Sequence, residues 1–258
     1  MVRGSEPGEY IDSMFRQLLQ GLPGRVPSQC AVCHAWPAQP VCDACVERFA
    51  QPRHRCHTCA MPLAPDIRQC GACVLDPPPL DACVAALPYA YPWSRLVTEF
   101  KFRDQPGWAQ AFAQLMRSVP WVEPLVDAAD LLIPMPLADQ RLRQRGFNQA
   151  LEICHQLGAT KTDAGLLLRL RDTRPQTALS RAERQANLRH AFAVDPLRVD
   201  AAGGRHLVLV DDVMTSGASL HAAARALRMA GATRVSALVL TRAELSPAFG
   251  EQAPTIAC

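Results

Sequence analysis

Apolar residues in this chain form short continuous runs that are separated by stretches of helical periodicity. A run with no polar alternation is typical of a strand that is covered on both faces. The runs predict strands over residues 83–91, 130–133, 207–210 and 235–240. The periodic stretches predict helices over residues 96–102, 107–117, 139–157 and 220–230. Strands that alternate with helices favour an α/β fold with a parallel sheet, in which ligands bind at the carboxyl ends of the strands.

The run at 207–210 carries the most informative chemistry. Asp211 and Asp212 follow it directly, and small and hydroxyl residues come before the next helix. These loop residues are Thr215, Ser216, Gly217, Ala218 and Ser219. Loop amides and the positive end of a helix dipole bind phosphate, while carboxylates accept hydrogen bonds from sugar hydroxyls or lie near Mg²⁺. The pattern therefore predicts a site for a phosphorylated sugar.

Two other classes of protein place paired acids at the end of a strand. Receiver domains carry the pair on their first strand, whereas here the pair lies late in the chain. Walker B strands require a G-x-x-x-x-G-K-[ST] loop upstream, and no such loop precedes Asp211. Neither alternative accounts for the loop of small residues that follows.

Eight of the eleven cysteines form four C-x-x-C pairs within 44 residues. The pairs are Cys30/Cys33, Cys42/Cys45, Cys56/Cys59 and Cys70/Cys73. A C-x-x-C turn brings two sulfurs within reach of a tetrahedral Zn²⁺ at about 2.3 Å. Pairing of nearest neighbours predicts two structural zinc sites, which would replace a core that so few large apolar residues cannot build.

The spacing leaves other metal arrangements open. The first pair could join the third and the second the fourth, or one filled site could accompany a degenerate one. An iron–sulfur cluster is a further alternative. No secretory signal is evident, so we expect a reducing cytoplasm, where metal is favoured over disulfides.

Composition indicates two domains and an uneven charge. The 258 residues are 49% hydrophobic with a net charge of +3, and 25 of the 27 basic residues are arginine. Residues 141–190 contain ten basic and four acidic residues, a net charge of +6. Within them Arg141, Arg143 and Arg145 are candidates for binding pyrophosphate or a nucleic-acid backbone, with a solvated helical face as the alternative.

Two further segments bear on the organisation of the chain. No apolar run reaches transmembrane length, and the helical pattern over residues 10–22 favours a docked helix over a membrane anchor. Ser180 and Glu183 form a capping box, so Arg181 and Arg184 would lie on one side of a helix that begins there. The predicted parts are an N-terminal extension (1–27), a zinc module (28–75), a Pro-rich linker (76–82), an α/β domain (83–245) and a flexible tail (246–258).

Residues spread over most of the chain resemble the ComF family of competence-associated, phosphoribosyltransferase-like proteins. The matching segments are the four cysteine pairs, residues 100–102, 134–137, 145–149 and 179–184, Asn187 and residues 210–213. The resemblance implies a double zinc ribbon joined to a type I phosphoribosyltransferase fold. It also implies a role in DNA uptake and natural transformation, with single-stranded DNA, a competence helicase and a recombination-loading protein as partners.

The same resemblance implies the roles of individual residues. Asp211 and Asp212 would bind the ribose of phosphoribosyl pyrophosphate with its Mg²⁺, and residues 215–219 would bind the 5′-phosphate. The turn at 135–145 would bind pyrophosphate, and residues 172–187, with Arg181 and Arg184, would form a mobile lid. We expect a pentosyl-transferring enzyme. The alternative is a non-catalytic single-stranded DNA-binding module that uses the fold as a sensor or adaptor.

Overall fold

The structure is a computed structural model, and it describes residues 29–36, 38–102, 105–170 and 191–244. Contacts divide the chain into two compact units, Met1–Glu47 and Arg48–Cys258. The two cysteine groups fall in different units, whereas the sequence analysis assigned them to one module; the predicted boundaries stay predictions. The predicted helix over 10–22, the lid with Arg181 and Arg184, and the tail lie outside the described residues.

The second unit contains a four-stranded sheet, a two-stranded sheet and most of the helices. The strands of the larger sheet are β1 (Ala82–Pro88), β2 (Leu131–Pro134), β5 (His206–Met214) and β6 (Arg234–Arg242). The smaller sheet pairs β3 (Leu167–Arg169) with β4 (Phe192–Val194). The described helices are α1 (Asp43–Phe49), which crosses the division between the units, α2 (Gly71–Leu75), α3 (Trp93–Phe102), α4 (Trp108–Arg117), α5 (Val122–Ala128), α6 (Asp139–Arg145), α7 (Gln149–Gly158) and α8 (Ala218–Met229).

The larger sheet has the order β1-β6-β5-β2, and all its pairings are parallel. Every residue of β5 from His206 to Val210 is buried, as is every residue of β6 from Val235 to Arg242. Burial of successive residues means that both faces of these strands are covered, which explains their unbroken apolar runs. The predicted parallel α/β sheet is confirmed.

β5 is longer than its apolar run predicts. The run ends at Val210, which pairs with Pro134, the last residue of β2. Pairing with β6 continues, however, to Met214 opposite Arg242. The four residues 211–214 therefore extend beyond the end of β2 while they stay hydrogen-bonded to β6.

The predicted helix over residues 139–157 is divided in two. Gly146 ends α6 in the left-handed region, with φ of 73°, a conformation that glycine adopts at little cost. Asn148 then caps α7, because its side-chain oxygen accepts a hydrogen bond from the Ala150 amide at 3.0 Å. The Asn148 amide nitrogen also donates to the carbonyl of Met135 at 3.1 Å, which holds the start of α7 at the end of β2.

Helix α3 packs through an apolar face and carries a lysine at its end. Trp93, Leu96, Val97 and Phe100 are buried, and the Trp93 indole donates to the carbonyl of Phe49 at 2.9 Å. These anchors recur at helical spacing, so they fix the rotation of the helix. Lys101, in its last turn, is thereby directed toward the carboxyl end of β5.

Candidate functional site

Asp212 lies in the overhanging part of β5 and pairs with a lysine from α3. Its side chain is only 9% exposed, and its Oδ1 lies 2.9 Å from the Nζ of Lys101. The hydroxyl of Thr241 on β6 donates to the Asp212 carbonyl at 2.9 Å. A carboxylate this buried is stabilised by a paired cation, and Lys101 supplies that cation.

Asp211 has a different environment. Its Oδ1 accepts a hydrogen bond from the Asp212 amide at 2.9 Å. Burial, followed by the neighbouring carboxylate of Asp212, raises the pKa of Asp211 to about 7, although Lys101 and Arg169 act in the opposite direction. Asp211 therefore changes its charge near neutral pH, whereas an ordinary aspartate is ionised throughout that range.

The predicted loop over residues 215–219 consists of three residues that connect β5 to α8 and of the first two residues of α8, and its conformation requires glycine. Gly217 has φ of 79°, and a Cβ at this position would lie 2.5 Å from the Cε of Met214. The Ala218 amide donates to the Ser216 hydroxyl at 3.4 Å, and Thr215 and Ser216 are exposed. The loop thus places hydroxyls and the first amides of a twelve-residue helix beside the acid pair, an arrangement suited to an anionic group.

The three arginines that the sequence analysis grouped on one turn occupy different environments on α6. Arg141 and Arg143 are exposed. Arg145 is half-buried, and its Nη1 donates to the Oε1 of Gln149 at 2.9 Å. Burial lowers the pKa of Arg145, and the carboxylates of Asp212 and Asp211 act to raise it. Arg145 is therefore the member of this trio whose charge interacts with the acid pair.

Lys101 is a residue of the candidate site that the sequence patterns do not single out, since it falls only within the motif over residues 100–102. Lys101 lies more than a hundred residues before the acid pair in the sequence, so no spacing signal links them, because the contact depends on how α3 packs on the sheet. The available clue was compositional, since Lys101 is one of only two lysines in an arginine-rich chain.

The described part of the first unit contains one four-cysteine group. The sulfur ligand atoms of Cys30, Cys33, Cys42 and Cys45 all lie within 4.8 Å of one another. Burial acts to raise the pKa of the Cys30 thiol, but amides of Cys33, Cys42 and Val32 donate to its sulfur and bring the pKa down to about 6. A thiol that loses its proton this readily is suited to metal binding.

A second group of four sulfurs belongs to the second unit. The sulfur ligand atoms of Cys56, Cys59, Cys70 and Cys73 also lie within 4.8 Å of one another, and the Cys70 amide donates to the Cys56 sulfur at 3.3 Å. The distance between the sulfurs of Cys59 and Cys70 is 3.7 Å. Tetrahedral ligands at about 2.3 Å from Zn²⁺ lie about 3.8 Å apart, so the four sulfurs fit that ion. Both groups follow the nearest-neighbour pairing.

Comparisons with known proteins agree with this geometry. A family model described as a phosphoribosyl transferase domain matches residues 176–248. DNA utilization protein YhgH of Salmonella typhimurium is 32% identical over 228 residues, which cover 84% of this chain and 98% of that protein. Competence protein F of Haemophilus influenzae is 29% identical over 210 residues, covering 79% and 90%. Competence protein ComFC of Bacillus subtilis is 31% identical over 147 residues, covering 57% and 58%.

The chain belongs to the ComF family. Its parallel sheet and the matching domain model give it the phosphoribosyltransferase fold, and the cysteine groups fit the zinc-ribbon-like module that the resemblance implied. The roles that the resemblance implied for single residues stay predictions. Among the helices that the structure describes, none is long and apolar enough to cross a membrane.

We expect the purified ComF-family chain to contain two zinc ions, because each four-sulfur group fits one tetrahedral ion. A Cys33→Ser variant and a Cys70→Ser variant should each retain about one, since three thiolates and a hydroxyl bind zinc far more weakly. Elemental analysis of the protein, with concentration from amino-acid analysis, measures the ratio. A native ratio near one would contradict two filled sites, and iron in place of zinc would contradict the assigned metal.

Proposed function

We propose that this ComF-family chain binds phosphoribosyl pyrophosphate with Mg²⁺ at the overhanging end of β5. The observation that carries the proposal is the acid pair beside the glycine-dependent loop, because carboxylates and loop amides together match a phosphorylated sugar. Asp211 and Asp212 would accept hydrogen bonds from the ribose hydroxyls. Residues 215–219 would donate hydrogen bonds to the 5′-phosphate.

Two cations complete the proposed site. Lys101 lies 2.9 Å from Asp212, and the charge of Arg145 interacts with both acids. Both cations would stabilise the negative charge of the pyrophosphate. Mg²⁺ would neutralise part of the pyrophosphate charge, and the acid pair with its surrounding water would hold the ion. Arg181 and Arg184 stay proposed lid residues.

The chemistry that such a site supports is displacement at the anomeric carbon of the ribose. The bond from that carbon to pyrophosphate breaks with its electron pair leaving on the pyrophosphate oxygen, and a nucleophile forms the new bond. The contribution of the protein would be positioning and stabilisation of the departing charge. The described residues carry no group that identifies the acceptor.

The proposed biological setting comes from the relatives. Proteins named for DNA utilization and for competence cover most of this chain, so we assign it a role in DNA uptake. Single-stranded DNA, a competence helicase and a recombination-loading protein are the proposed partners. Thiolate metal sites favour a reducing compartment, and we accordingly assign the chain to the cytoplasm.

Exposed arginines favour a second candidate function, a single-stranded DNA-binding module without catalysis. Arg141 and Arg143 are exposed on α6, whereas Arg145 is half-buried and donates to Gln149. Exposed guanidinium groups are suited to the phosphates of a nucleic-acid backbone. The fold would then serve as a sensor or adaptor.

Binding of the sugar phosphate can be measured by calorimetric titration of phosphoribosyl pyrophosphate with Mg²⁺. We expect binding to the native chain and its loss in the Asp211→Asn/Asp212→Asn variant, because neutral amides remove both negative charges. Circular dichroism and zinc content serve as folding controls for the variant. Equal affinity in both proteins, or absence of binding to the native chain, would refute the proposed site.

The pH dependence of this binding should report Asp211. Because its pKa is raised to about 7, the carboxylate forms as the pH rises from 6 to 8, and affinity should increase about tenfold over that range. Lys101→Met removes a charge that lowers this pKa, so the midpoint should move to higher pH. Protonation of the ligand's own phosphates also changes the affinity with pH, but this contribution is the same for every variant. Lys161→Met, which changes the other lysine of the chain, is the matched control and should keep the native midpoint. An unmoved midpoint in Lys101→Met would contradict the assignment.

DNA binding is tested by the salt dependence of affinity for single-stranded DNA. If Arg141 and Arg143 contact phosphates, Arg141→Gln/Arg143→Gln should reduce the slope of log K against log salt by about 1.4. Arg205→Gln/Arg234→Gln is the control with the same change in charge, at the amino ends of β5 and β6, where both side chains are exposed. An unchanged slope in the α6 variant would exclude those contacts.

A further inference from the structure

Arg242, the last residue of β6, is a buried arginine that donates hydrogen bonds to four backbone carbonyls. Only 6% of the residue is exposed. Its Nε donates to the carbonyl of Cys59 at 2.9 Å. Its Nη1 donates to the carbonyls of Met214 at 3.1 Å, Ala243 at 2.7 Å and Thr215. One guanidinium therefore joins the second cysteine group to the first residue of the loop over 215–219.

The Cys59 end of this link is a turn whose shape depends on the cysteine group. The Ala60 amide donates to the Cys56 carbonyl at 2.9 Å, and Ala60 has φ of 56°, an unfavourable value for a residue with a Cβ. A metal ion held by Cys56 and Cys59 would maintain this turn, because both ligands lie within it. The Cys59 carbonyl that accepts from Arg242 belongs to the same turn.

A second arginine ties the same turn to the chain just beyond β6. The Nη1 of Arg55 donates to the Ala60 carbonyl at 3.0 Å, and its Nη2 lies 3.0 Å from the Oε1 of Glu244. The Arg55 side chain is 8% exposed and that of Glu244 is 24% exposed, so the arginine end of the pair is the buried one. Two arginines therefore contact this turn: Arg242 through the Cys59 carbonyl, and Arg55 through the Ala60 carbonyl. A change in the shape of the turn would move the Cys59 carbonyl and so be transmitted to Arg242.

The Thr215 end of the link is the entrance to the proposed phosphate loop. Met214 is 2% exposed, and its carbonyl accepts hydrogen bonds from the Ala243 amide at 2.9 Å and from the Nη1 of Arg242 at 3.1 Å, while the Thr215 carbonyl accepts from the same Nη1. A guanidinium is a rigid planar fork, so Nε and Nη1 cannot move independently. Displacement of the Cys59 carbonyl would therefore shift the donor that holds Met214 and Thr215.

We propose that Arg242 is a positioning residue through which the metal at the second cysteine group orders the loop over residues 215–219. Loss of that metal would loosen the loop and weaken its hold on the phosphate of a sugar ligand. The effect on ligand affinity rests on the proposed function, whereas the effect on loop order does not. Arg242 itself contacts backbone carbonyls and acts on the ligand only through the loop.

Hydrogen exchange of the loop amides in the full chain tests the proposal from the metal side. In Cys70→Ser, amides of residues 215–219 should exchange about tenfold faster than in the native protein, a size typical of coupling between sites. Cys33→Ser removes a ligand from the first group and controls for loss of a zinc ion as such, so its loop should exchange at the native rate. Amides of residues 206–210 in the core of β5 report whether the fold is intact. Native loop exchange in a folded Cys70→Ser protein would overturn the proposal.

Arg242→Lys tests the link itself. A lysine amine can satisfy the carbonyls at one end of the fork but cannot span both ends, so loop exchange should rise although both zinc ions are retained. If Arg242 only supported the turn that holds the metal, the Arg242→Lys variant would lose zinc together with loop order. Unchanged loop exchange in Arg242→Lys, with core amides protected as in the native chain, would overturn the proposal.

Calorimetry with phosphoribosyl pyrophosphate and Mg²⁺ provides the ligand readout. We expect about tenfold weaker binding to Cys70→Ser than to Cys33→Ser. Equal affinities of the two variants would overturn the inferred effect on the ligand and leave the proposed function standing. Absence of binding to the native chain would refute the proposed function, and the exchange measurements would then decide the role of Arg242 by themselves.

Discussion

β5 and β6 remain paired for four residues beyond the end of β2, and the candidate site depends on this overhang. Within it lie Asp211 and Asp212, and the loop that follows leads directly into α8. β6 holds one edge of β5 in place, and Lys101 of α3 contacts Asp212 within the overhang. The sheet thereby supplies a rigid base for groups that come from distant parts of the chain.

The electrostatics of the site follow from this position. Two adjacent carboxylates in a poorly hydrated place repel each other, and the protein offsets the repulsion with Lys101 at Asp212 and with the charge of Arg145. The compensation is incomplete at Asp211, whose pKa is raised to about 7. An acid pair with one member close to neutrality is typical of a site that gains a divalent cation or donor hydroxyls when its ligand binds.

The cysteine groups lie in a segment of the chain that has few large apolar side chains. Four sulfurs within 4.8 Å of one another can be held by a metal where a hydrophobic core is absent. In the second unit the cysteine group is connected to the carboxyl end of β6. Arg242 joins its turn to that strand, and Arg55 joins the turn to Glu244 just beyond the strand. A metal bound there would, on the proposal made for Arg242, contribute to the shape of the neighbouring loop as well as to stability.

The sequence by itself determined the kind of fold and the local chemistry. Unbroken apolar runs are typical of strands that are covered on both faces, and C-x-x-C pairs, an acid pair and a glycine loop are local patterns whose chemistry is set by nearest neighbours. Strand ends were less predictable: the apolar run stops at Val210, but hydrogen bonds to β6 carry β5 to Met214. The division of the helix at Gly146 likewise depends on one backbone conformation that the helical periodicity does not encode.

Only the tertiary structure decided which distant residues meet. Lys101 reaches Asp212 because buried anchors fix the rotation of α3, and Arg145 differs from Arg141 and Arg143 because α6 turns one of the three toward the acids. Arg242 joins Cys59 to Thr215 across a large separation in sequence. Such contacts depend on how helices and strands pack together, and this packing cannot be inferred from the spacing of residues along the chain.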